Sequence, residues 1–189
     1  MTRYEAIQLI MAQVRDELVV SNIGHPSQEL FQIKDRPGNF FMKGSMGLAS
    51  SIGLGLALAQ PGPVVVIEGE GSVLMNLGTL ATIGTVRPDS LCLLIIDNEV
   101  YGTTGGQPTF TAHGINLADL ARDCGIESSR MVRTPEELER ILPGIIGKAG
   151  GPYCVVIKVS RKMKEIPPAI PLSAESIKER FMEHLADAG

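Results

Sequence analysis

Two stretches decide the fold: VVVIEGEGS at residues 64–72 and LCLLIIDNEVYG at residues 91–102. Each begins with an apolar run that lacks polar alternation, residues 64–67 in the first and 91–96 in the second. Short runs of this kind are typical of parallel strands that are covered on both faces. The pattern therefore predicts an α/β fold with three layers, in which helices cover both faces of a parallel sheet.

Oxygen ligands follow both apolar runs. Glu70 comes shortly after the first run, and Asn98 comes shortly after the second. Because the carboxyl ends of neighbouring parallel strands meet at one edge of a sheet, ligands gather there. Carboxylate and amide oxygens suit a magnesium ion that also binds phosphate oxygens. Gly71 and Ser72 open a predicted helix whose free N–H groups attract anionic oxygen, so we expect a site for a metal ion and a diphosphate group.

A third segment, residues 44–59, is rich in glycine, alanine and serine. We expect a helix over these residues, with a backbone that can lie very close to a neighbouring element. Tight packing in the core would by itself explain much of this composition. The segment therefore indicates a function only in combination with the two opening stretches.

Length, charge and cysteine content set the broad class. The chain has 189 residues, so we expect one domain over residues 1–189, with residues 160–189 as a C-terminal strap and helix. The net charge of −4 gives no reason to expect nucleic-acid or membrane binding. No run reaches the roughly 18 apolar residues of a membrane span, and no signal peptide is recognisable, so we expect a cytoplasmic protein. The three cysteines indicate neither a disulfide framework nor a metal site.

Helical and extended segments alternate along the chain, as an α/β fold requires. The sequence predicts helices at residues 3–17, 27–33, 44–59, 72–80, 117–123, 135–149 and 174–186. It predicts strands or extended segments at residues 18–20, 40–42, 64–67, 91–96, 131–132 and 153–159. Residues 102–110 form a loop that is too polar for a core and too long for a tight turn, which is typical of functional loops.

Of the three histidines, His25 is the strongest candidate for a functional role. It follows the first predicted strand, so it should reach the same sheet edge as Glu70 and Asn98. An imidazole at this edge could bind an acidic group or transfer a proton near pH 7. His113, after the polar loop, and His184, in the last helix, fit surface positions better.

The two opening stretches resemble the cofactor-binding signature of thiamine diphosphate enzymes, in which Gly-Asp-Gly-Ser is followed by Asn-Asn and often by Tyr-Gly. The resemblance implies thiamine diphosphate and Mg²⁺ as cofactors. It implies three metal ligands: Glu70, Asn98 and the backbone carbonyl of Val100. It implies contacts to the cofactor, above all its diphosphate, from Gly69, Gly71, Ser72, Tyr101, Asn22 and Ser27. Glu70 departs from the aspartate of that signature by one methylene, so either the loop retreats or the ion shifts.

Residues 44–59 are similar to a segment of the thiamine-dependent 2-oxoacid decarboxylases, which carry Gly-x-Met-Gly before such a helix. The resemblance implies cofactor contacts from Gly44, Ser45 and Met46. By analogy with those decarboxylases, the carbonyl of Gly44 accepts a hydrogen bond from the aminopyrimidine ring of the cofactor. The side chain of Met46 wedges under the cofactor and holds it bent. The bend brings the exocyclic amine near the carbon that loses its proton, so Met46 is a candidate catalytic residue.

These enzymes hold the cofactor between a diphosphate-holding and a pyrimidine-holding domain, and the second supplies an activating glutamate. All the motifs here belong to the diphosphate-holding type. A second domain of that kind needs a core of its own, for which this chain has no room. The resemblance therefore implies a partner α subunit that carries the pyrimidine-binding domain and the glutamate.

Residues 21–30 and 101–107 extend the resemblance to the β subunits of sulfopyruvate decarboxylases and to the related phosphonopyruvate decarboxylases. The implied reaction converts a small anionic 2-oxoacid, 3-sulfopyruvate, into sulfoacetaldehyde and CO₂. Candidates for binding its sulfonate are His25, Thr103, Thr104 and Gln107. No basic residue lies in these loops, so the partner could supply one.

Two alternatives stay open at this point. A non-catalytic nucleotide-binding module is disfavoured because Leu74 occupies the third glycine position of a dinucleotide fingerprint. Another thiamine-dependent assembly, of the acetolactate synthase or oxoacid oxidoreductase kind, is the second alternative. The oxidoreductases often carry clustered cysteines for iron–sulfur centres, which this sequence lacks, so a non-oxidative reaction is favoured.

Overall fold

The computed structural model describes residues 1–161 and 166–187. Its helices are α1 (Arg3–Gln13), α2 (His25–Ile33), α3 (Ala49–Ala59), α4 (Glu70–Met75), α5 (Gly78–Val86), α6 (Leu117–Asp123), α7 (Pro135–Ile141) and α8 (Ala174–Asp187). Its strands are β1 (Leu18–Ser21), β2 (Asn39–Phe41), β3 (Val64–Gly69), β4 (Leu91–Asp97), β5 (Val100–Tyr101), β6 (Gln107–Pro108), β7 (Ser128–Val132) and β8 (Tyr153–Lys158). Two short 3-10 helices, Phe110–His113 and Leu142–Gly144, complete the described elements.

Six strands form one parallel sheet in the order β2-β1-β3-β4-β8-β7. The chain moves outward from β1 to β2 and then returns across β1 to β3, so the strand order reverses between β1 and β3. In open parallel sheets the crevice beyond such a reversal is the usual ligand site. The predicted three-layer fold is confirmed.

The apolar runs of the strands supply both layers of the core. In β3 the side chains of Val65 and Ile67 pack in a cluster with α1 and α7. Val64 and Val66 pack on the other face, in a cluster with α3, α5 and α6. Because alternate side chains of a strand point to opposite faces, a strand covered on both sides needs apolar residues throughout. This requirement explains the lack of polar alternation in the sequence.

Several predicted elements differ from the structure at their ends. The helix predicted over 44–59 begins only at Ala49, because Ser45 and Gly47 have positive φ angles of 62° and 96°, which no right-handed helix accepts. The helix predicted over 72–80 is broken at Asn76 and Leu77 into α4 and α5. The helices predicted over 3–17 and 135–149 end at Gln13 and Ile141.

The remaining predicted elements agree in type with the structure. The start of α7 is as expected, since the Thr134 side chain caps the helix and Pro135 occupies its first turn. The polar loop after Tyr101 is a small antiparallel hairpin formed by β5 and β6. Part of the predicted strap, residues 162–165, lies outside the described residues. In the part of the chain that the structure describes, no helix is long and apolar enough to span a membrane.

Glycines in two helices provide a matched test of the packing. At Gly84 in α5, an added Cβ would overlap the carbonyl oxygen of Cys124, whereas at Gly55 in α3 it would meet no atom within 4 Å. We expect Gly84→Ala to lower the free energy of unfolding by about 2 kcal/mol or more, because the obstacle is backbone. Gly55→Ala should leave it unchanged or raise it by about 0.5–1 kcal/mol. Urea denaturation of both variants measures the difference, and equal stability would contradict the close approach of α5 to Cys124.

Candidate active site

A cavity of about 310 Å³ opens at the carboxyl ends of the central strands. Its lining comes from the segments that follow β1, β3 and β4, together with the turn before α3 and the first residue of α1. The cavity therefore lies at the reversal of strand order, where the sequence placed the candidate residues.

Glu70 is the acidic side chain of this cavity and is 3% exposed. Its Oε1 accepts a hydrogen bond of 3.1 Å from the hydroxyl of Thr109, which comes from the segment after the hairpin. Burial, and next the nearby charge of Asp97, raise the pKa of the Glu70 carboxyl to about 7. A cation beside Glu70 would offset both effects by stabilising the ionised form.

Hydroxyl groups connect Glu70 to Asp97. The hydroxyls of Thr109 and Thr111 lie 3.0 Å apart, and Thr111 donates to Oδ1 of Asp97 over 2.8 Å. The other oxygen of Asp97 accepts a hydrogen bond of 3.0 Å from the ammonium group of Lys158. Thr109 and Thr111 were not identified from the sequence, because they follow a hairpin whose path no local pattern predicts.

Asn98 and Val100 lie beside Glu70 in the lining. Oδ1 of Asn98 accepts a hydrogen bond of 3.2 Å from the N–H of Val100, and the carbonyl of Val100 accepts one of 3.1 Å from Gly102. Each oxygen keeps a second lone pair. Among the described residues no group of three or more His, Cys, Asp or Glu side chains could hold a metal ion. A cation here would use one carboxylate with amide and carbonyl oxygens, a hard donor set that suits Mg²⁺.

Ser72 connects the segment after β3 to the turn before α3. Its hydroxyl is fully buried, accepts a hydrogen bond of 2.8 Å from the N–H of Gly47, and bonds to the carboxyl of Glu68. Asn76 donates to the carbonyl of Gly47 over 2.9 Å. The Ser72 hydroxyl is thus already hydrogen-bonded within the protein. Gly69, Gly71 and Ser72 all line the cavity.

Glu68 is a buried carboxyl that strengthens the same connection. It is 1% exposed, and its Oε2 accepts hydrogen bonds of 3.0 Å from both the N–H and the hydroxyl of Ser50 in α3. Burial raises the pKa of this carboxyl, while its hydrogen bonds act in the opposite direction. The start of α3 is therefore fixed to the end of β3.

The turn at residues 44–48 places Met46 in the lining of the cavity. Gly44 and Ser45 precede it and are exposed, outside the lining. Of the three residues of this segment that were predicted to contact the cofactor, only Met46 lines the cavity with Glu70 and Asn98. Gly44 and Ser45 face outward beside it, where another chain could reach them.

The segment after β1 contributes Asn22 and His25 to the lining. Oδ1 of Asn22 and Nδ1 of His25 are buried and have no hydrogen-bond partner among the described residues. Ser27 lies outside the lining, since its hydroxyl bonds to the hydroxyl of Ser21 and to the carbonyl of Asn22. Burial, followed by the charge of Arg3, lowers the pKa of His25.

Residues 101–104 cover the cavity from the side of the hairpin. Tyr101, Thr103 and Thr104 belong to the lining, and the ring of Tyr101 lies so close to Gly71 that any Cβ there would overlap it. Gln107 lies outside the lining, is exposed, and donates to the carbonyl of Thr104 over 3.1 Å. Gln107 thus supports the hairpin and does not reach the cavity.

The arrangement fits a phosphorylated ligand held through a divalent cation. Hard oxygen donors stand together at Glu70, Asn98 and Val100. Asn22 and His25 of the same lining carry buried polar atoms that have no partner within residues 1–161 and 166–187. Such atoms are costly unless a ligand satisfies them.

Comparisons with known proteins agree with this geometry. The family model described as "Thiamine pyrophosphate enzyme, C-terminal TPP binding domain" matches residues 22–157. The sulfopyruvate decarboxylase β subunit of Methanococcus maripaludis is 47% identical over 182 residues, which are 96% of each chain. That of Methanocaldococcus jannaschii is 44% identical over 96% of this chain and 95% of its own. The sulfopyruvate decarboxylase of Methanosarcina acetivorans is 37% identical over 98% of this chain but only 47% of its own length.

A solved structure shares the fold. The benzoylformate decarboxylase of Polynucleobacter necessarius superposes with a TM-score of 0.68 at 17% identity, over 85% of this chain and 33% of that chain. The present chain thus spans about a third of that enzyme. Taken together, the family match and the relatives that align along nearly their whole length show that this chain belongs to the thiamine pyrophosphate enzymes, in the group of the sulfopyruvate decarboxylase β subunits and their relatives.

Proposed function

We propose that this chain is the β subunit of a thiamine diphosphate-dependent decarboxylase that converts 3-sulfopyruvate into sulfoacetaldehyde and CO₂. The observation that carries the proposal is the convergence of Glu70, Asn98 and Met46 on one cavity, in a chain that aligns with sulfopyruvate decarboxylase β subunits over 96% of its length. Phosphonopyruvate, in which a phosphonate replaces the sulfonate, is the second candidate substrate. The reason is that a relative from Streptomyces viridochromogenes, 36% identical, is named phosphonopyruvate decarboxylase.

In the proposed cation site, Mg²⁺ is bound by Glu70, by the amide oxygen of Asn98 and by the carbonyl of Val100. Thr109 compensates for the extra methylene of Glu70, since its hydroxyl holds Oε1 at a fixed place in the wall of the cavity. Hydrogen bonds from neighbouring groups orient metal ligands in this way in many proteins. The longer side chain thus has a specific partner that restrains it.

In the proposed cofactor site, the diphosphate lies against the backbone of Gly69, Gly71 and Ser72, and Asn22 and Tyr101 border it. The cofactor supplies a carbon nucleophile and an electron sink for the loss of CO₂. Met46 provides a flexible thioether that packs against the bound cofactor and favours its bent form. Burial, followed by the charge of Arg3, lowers the pKa of His25, which favours a neutral imidazole that can hold or give up a proton at Nδ1.

For the substrate we propose contacts from Thr103 and Thr104, which line the cavity beside His25. The hydroxyl of Thr103 can donate a hydrogen bond to a sulfonate, and that of Thr104 can do so once it leaves Oε1 of Gln107, to which it donates in this structure. We exclude Gln107 from this group, because its side chain is occupied with Thr104 outside the lining. We likewise exclude Ser27 from ligand binding and propose that it stabilises the loop, because its hydroxyl bonds to the hydroxyl of Ser21 and to the carbonyl of Asn22.

The partner is an α subunit that carries the pyrimidine-binding domain and the activating glutamate. The relative from Methanosarcina acetivorans supports this, because this chain accounts for 47% of its length, which leaves room for a second unit of similar size. Gly44 and Ser45 are exposed beside Met46 of the lining, which is consistent with contact between this turn and a partner subunit.

We propose that the α subunit docks on the face formed by α3, α4 and α5. Residues 44–67 and 71–86 contain no charged residue. They include all of α3 and α5 and all of α4 except Glu70, and these helices are at the surface. The exposed apolar side chains on this face include Leu58 at 59%, Met75 at 61% and Val86 at 44%. Met75 also lines the cavity, so the face is continuous with the site. A surface without charge beside an incomplete site is typical of a subunit interface.

The cation site can be tested by Thr109→Val, which keeps the shape of the side chain but removes the hydrogen bond to Glu70. We expect Mg²⁺-dependent binding of thiamine diphosphate to weaken by about 10- to 100-fold, as is usual for the loss of such a partner. Thr109→Ser should retain most of the affinity. Calorimetric titration of the co-expressed complex measures this affinity, with Ser176→Ala, which removes an exposed and hydrogen-bonded hydroxyl of α8, as the control. Equal affinity for Thr109→Val and the native protein would argue against this role.

The split site can be tested by assaying the chain alone and together with its co-expressed partner. We expect release of CO₂ from sulfopyruvate only by the complex, because the isolated chain lacks the activating glutamate. Parallel assays with phosphonopyruvate and pyruvate rank the substrates. Turnover by the rigorously purified single chain would refute the split site, and tight NAD binding without thiamine diphosphate binding would refute the proposed function.

The docking face can be tested by Leu58→Glu. A charge at the centre of an apolar interface should weaken subunit association by at least tenfold. Met182→Glu is a matched control, since Met182 is 55% exposed but lies on α8, which is not one of the three helices of this face. Analytical ultracentrifugation of the co-expressed pairs compares the two. If both variants associate like the native chain, the α subunit docks elsewhere.

A further inference from the structure

Arg3 is a residue of the cavity that no motif of the sequence indicated. It is the first residue of α1, yet it lines the cavity together with His25, Thr103 and Thr104. Among the described residues of that lining, Arg3 is the only side chain with a permanent positive charge. The loops themselves contain no basic residue, so the cation for an anionic ligand comes from a different part of the chain.

An ion pair with Glu29 of α2 holds Arg3 in place. Nε of Arg3 lies 2.6 Å from Oε2 of Glu29, and Nη2 lies 2.8 Å from Oε1. The two side chains are only 10% and 7% exposed. A two-point contact of this kind fixes the plane of the guanidinium group and leaves Nη1 available for another acceptor.

Stability alone does not account for the position of this pair. A cation in the first turn of a helix opposes the helix dipole. Removing two charges from water is costly, and apolar side chains of similar size often stabilise such a site at least as well. The pair therefore needs another explanation, and its place in the cavity wall supplies one.

His25 provides a second polar group near Arg3. Its Nδ1 is buried and has no hydrogen-bond partner in the part of the chain that the structure describes, and His25 belongs to the same lining. Arg3 and His25 line the same cavity, and the charge of Arg3 contributes, after burial, to a lower pKa of His25. A neutral imidazole with a proton on Nδ1 can donate it to an anionic oxygen, beside the N–H groups of Arg3.

We infer that Arg3, fixed by Glu29, forms with His25 a subsite for a tetrahedral oxyanion, a phosphoryl or sulfonyl group bound in the cavity. This inference rests on the proposed function, which brings two such groups to the site. One is the terminal phosphate of the cofactor, and the other is the acidic tail of the substrate. In either case Arg3 is a binding residue contributed from outside the cofactor-binding motifs, and it determines substrate specificity in the second case.

The test uses the co-expressed complex with Arg3→Gln and with the double variant Arg3→Met, Glu29→Leu. The double variant replaces the buried pair with apolar side chains, so it keeps the fold testable if a single unpaired Glu29 prevents folding. Arg87→Gln is the control, because Arg87 also forms an ion pair, with Glu127, but outside the cavity lining. The side chains of Arg87 and Glu127 are 59% and 79% exposed. Thermal melting monitors the fold of each variant.

Two measurements distinguish the sources of the oxyanion. Calorimetry gives the affinities for thiamine diphosphate and for inorganic pyrophosphate, and steady-state assays give the ratio of kcat/KM for sulfopyruvate to that for pyruvate. If the subsite binds the cofactor phosphate, both affinities fall by about 10- to 100-fold and the ratio stays constant. If it binds the substrate tail, the affinities stay constant and the ratio falls by a similar factor.

The inference is overturned if folded variants keep both the affinities and the ratio of the native complex. It is also overturned if Arg3→Gln and Arg87→Gln change them equally. If instead the native complex neither binds thiamine diphosphate nor decarboxylates sulfopyruvate, the proposed function itself is refuted. The two failures are therefore distinguishable.

Discussion

The parallel pairing of β1, β3 and β4 is the constraint on which the site depends. Ser21 at the end of β1 pairs with Ile67 of β3, and Gly69 at the end of β3 pairs with Ile96 of β4. The three strands thus end close together, and the polar residues that follow them enter one space. A slip of one residue in this register would move every side chain of a strand to the opposite face. The buried apolar side chains of β3 and β4 therefore hold the site together indirectly, because they fix the register.

Polar contacts then fix the turn before α3 to the segment after β3. Glu68 receives two hydrogen bonds from Ser50, and Ser72 receives one from Gly47. These contacts offset the cost of the positive φ angle at Ser45, a conformation that residues other than glycine rarely adopt. As a result Met46 is held by the segment that contains Glu70. Hydrogen bonds therefore join the two segments of the cavity wall, an arrangement that favours a preorganised site.

The sequence predicts those features that arise from local patterns. Apolar runs without alternation predicted the central strands, and Glu70 and Asn98 could be placed beside each other because both follow such runs. The breaks at Gly47 and Asn76 could not be predicted, since composition favours helix there and long-range hydrogen bonds prevent it. Arg3 was missed for a related reason. It lies far from the cavity loops in sequence, and only the packing of α1 against α2 brings it there.

The distribution of charge explains why a cation is favoured at Glu70 in particular. Lys158 lies 3.0 Å from Asp97 and 2.5 Å from Glu99, and Arg161 pairs with Glu99 as well. These two basic residues are thus committed to the other two carboxylates near the end of β4. Within the part of the chain that the structure describes, the Glu70 side chain accepts a hydrogen bond from the hydroxyl of Thr109 but pairs with no ammonium or guanidinium group. Because Asp97 adds a second negative charge nearby, the ionised form of Glu70 needs a positive partner, and the neighbouring oxygens of Asn98 and Val100 allow that partner to be a metal ion.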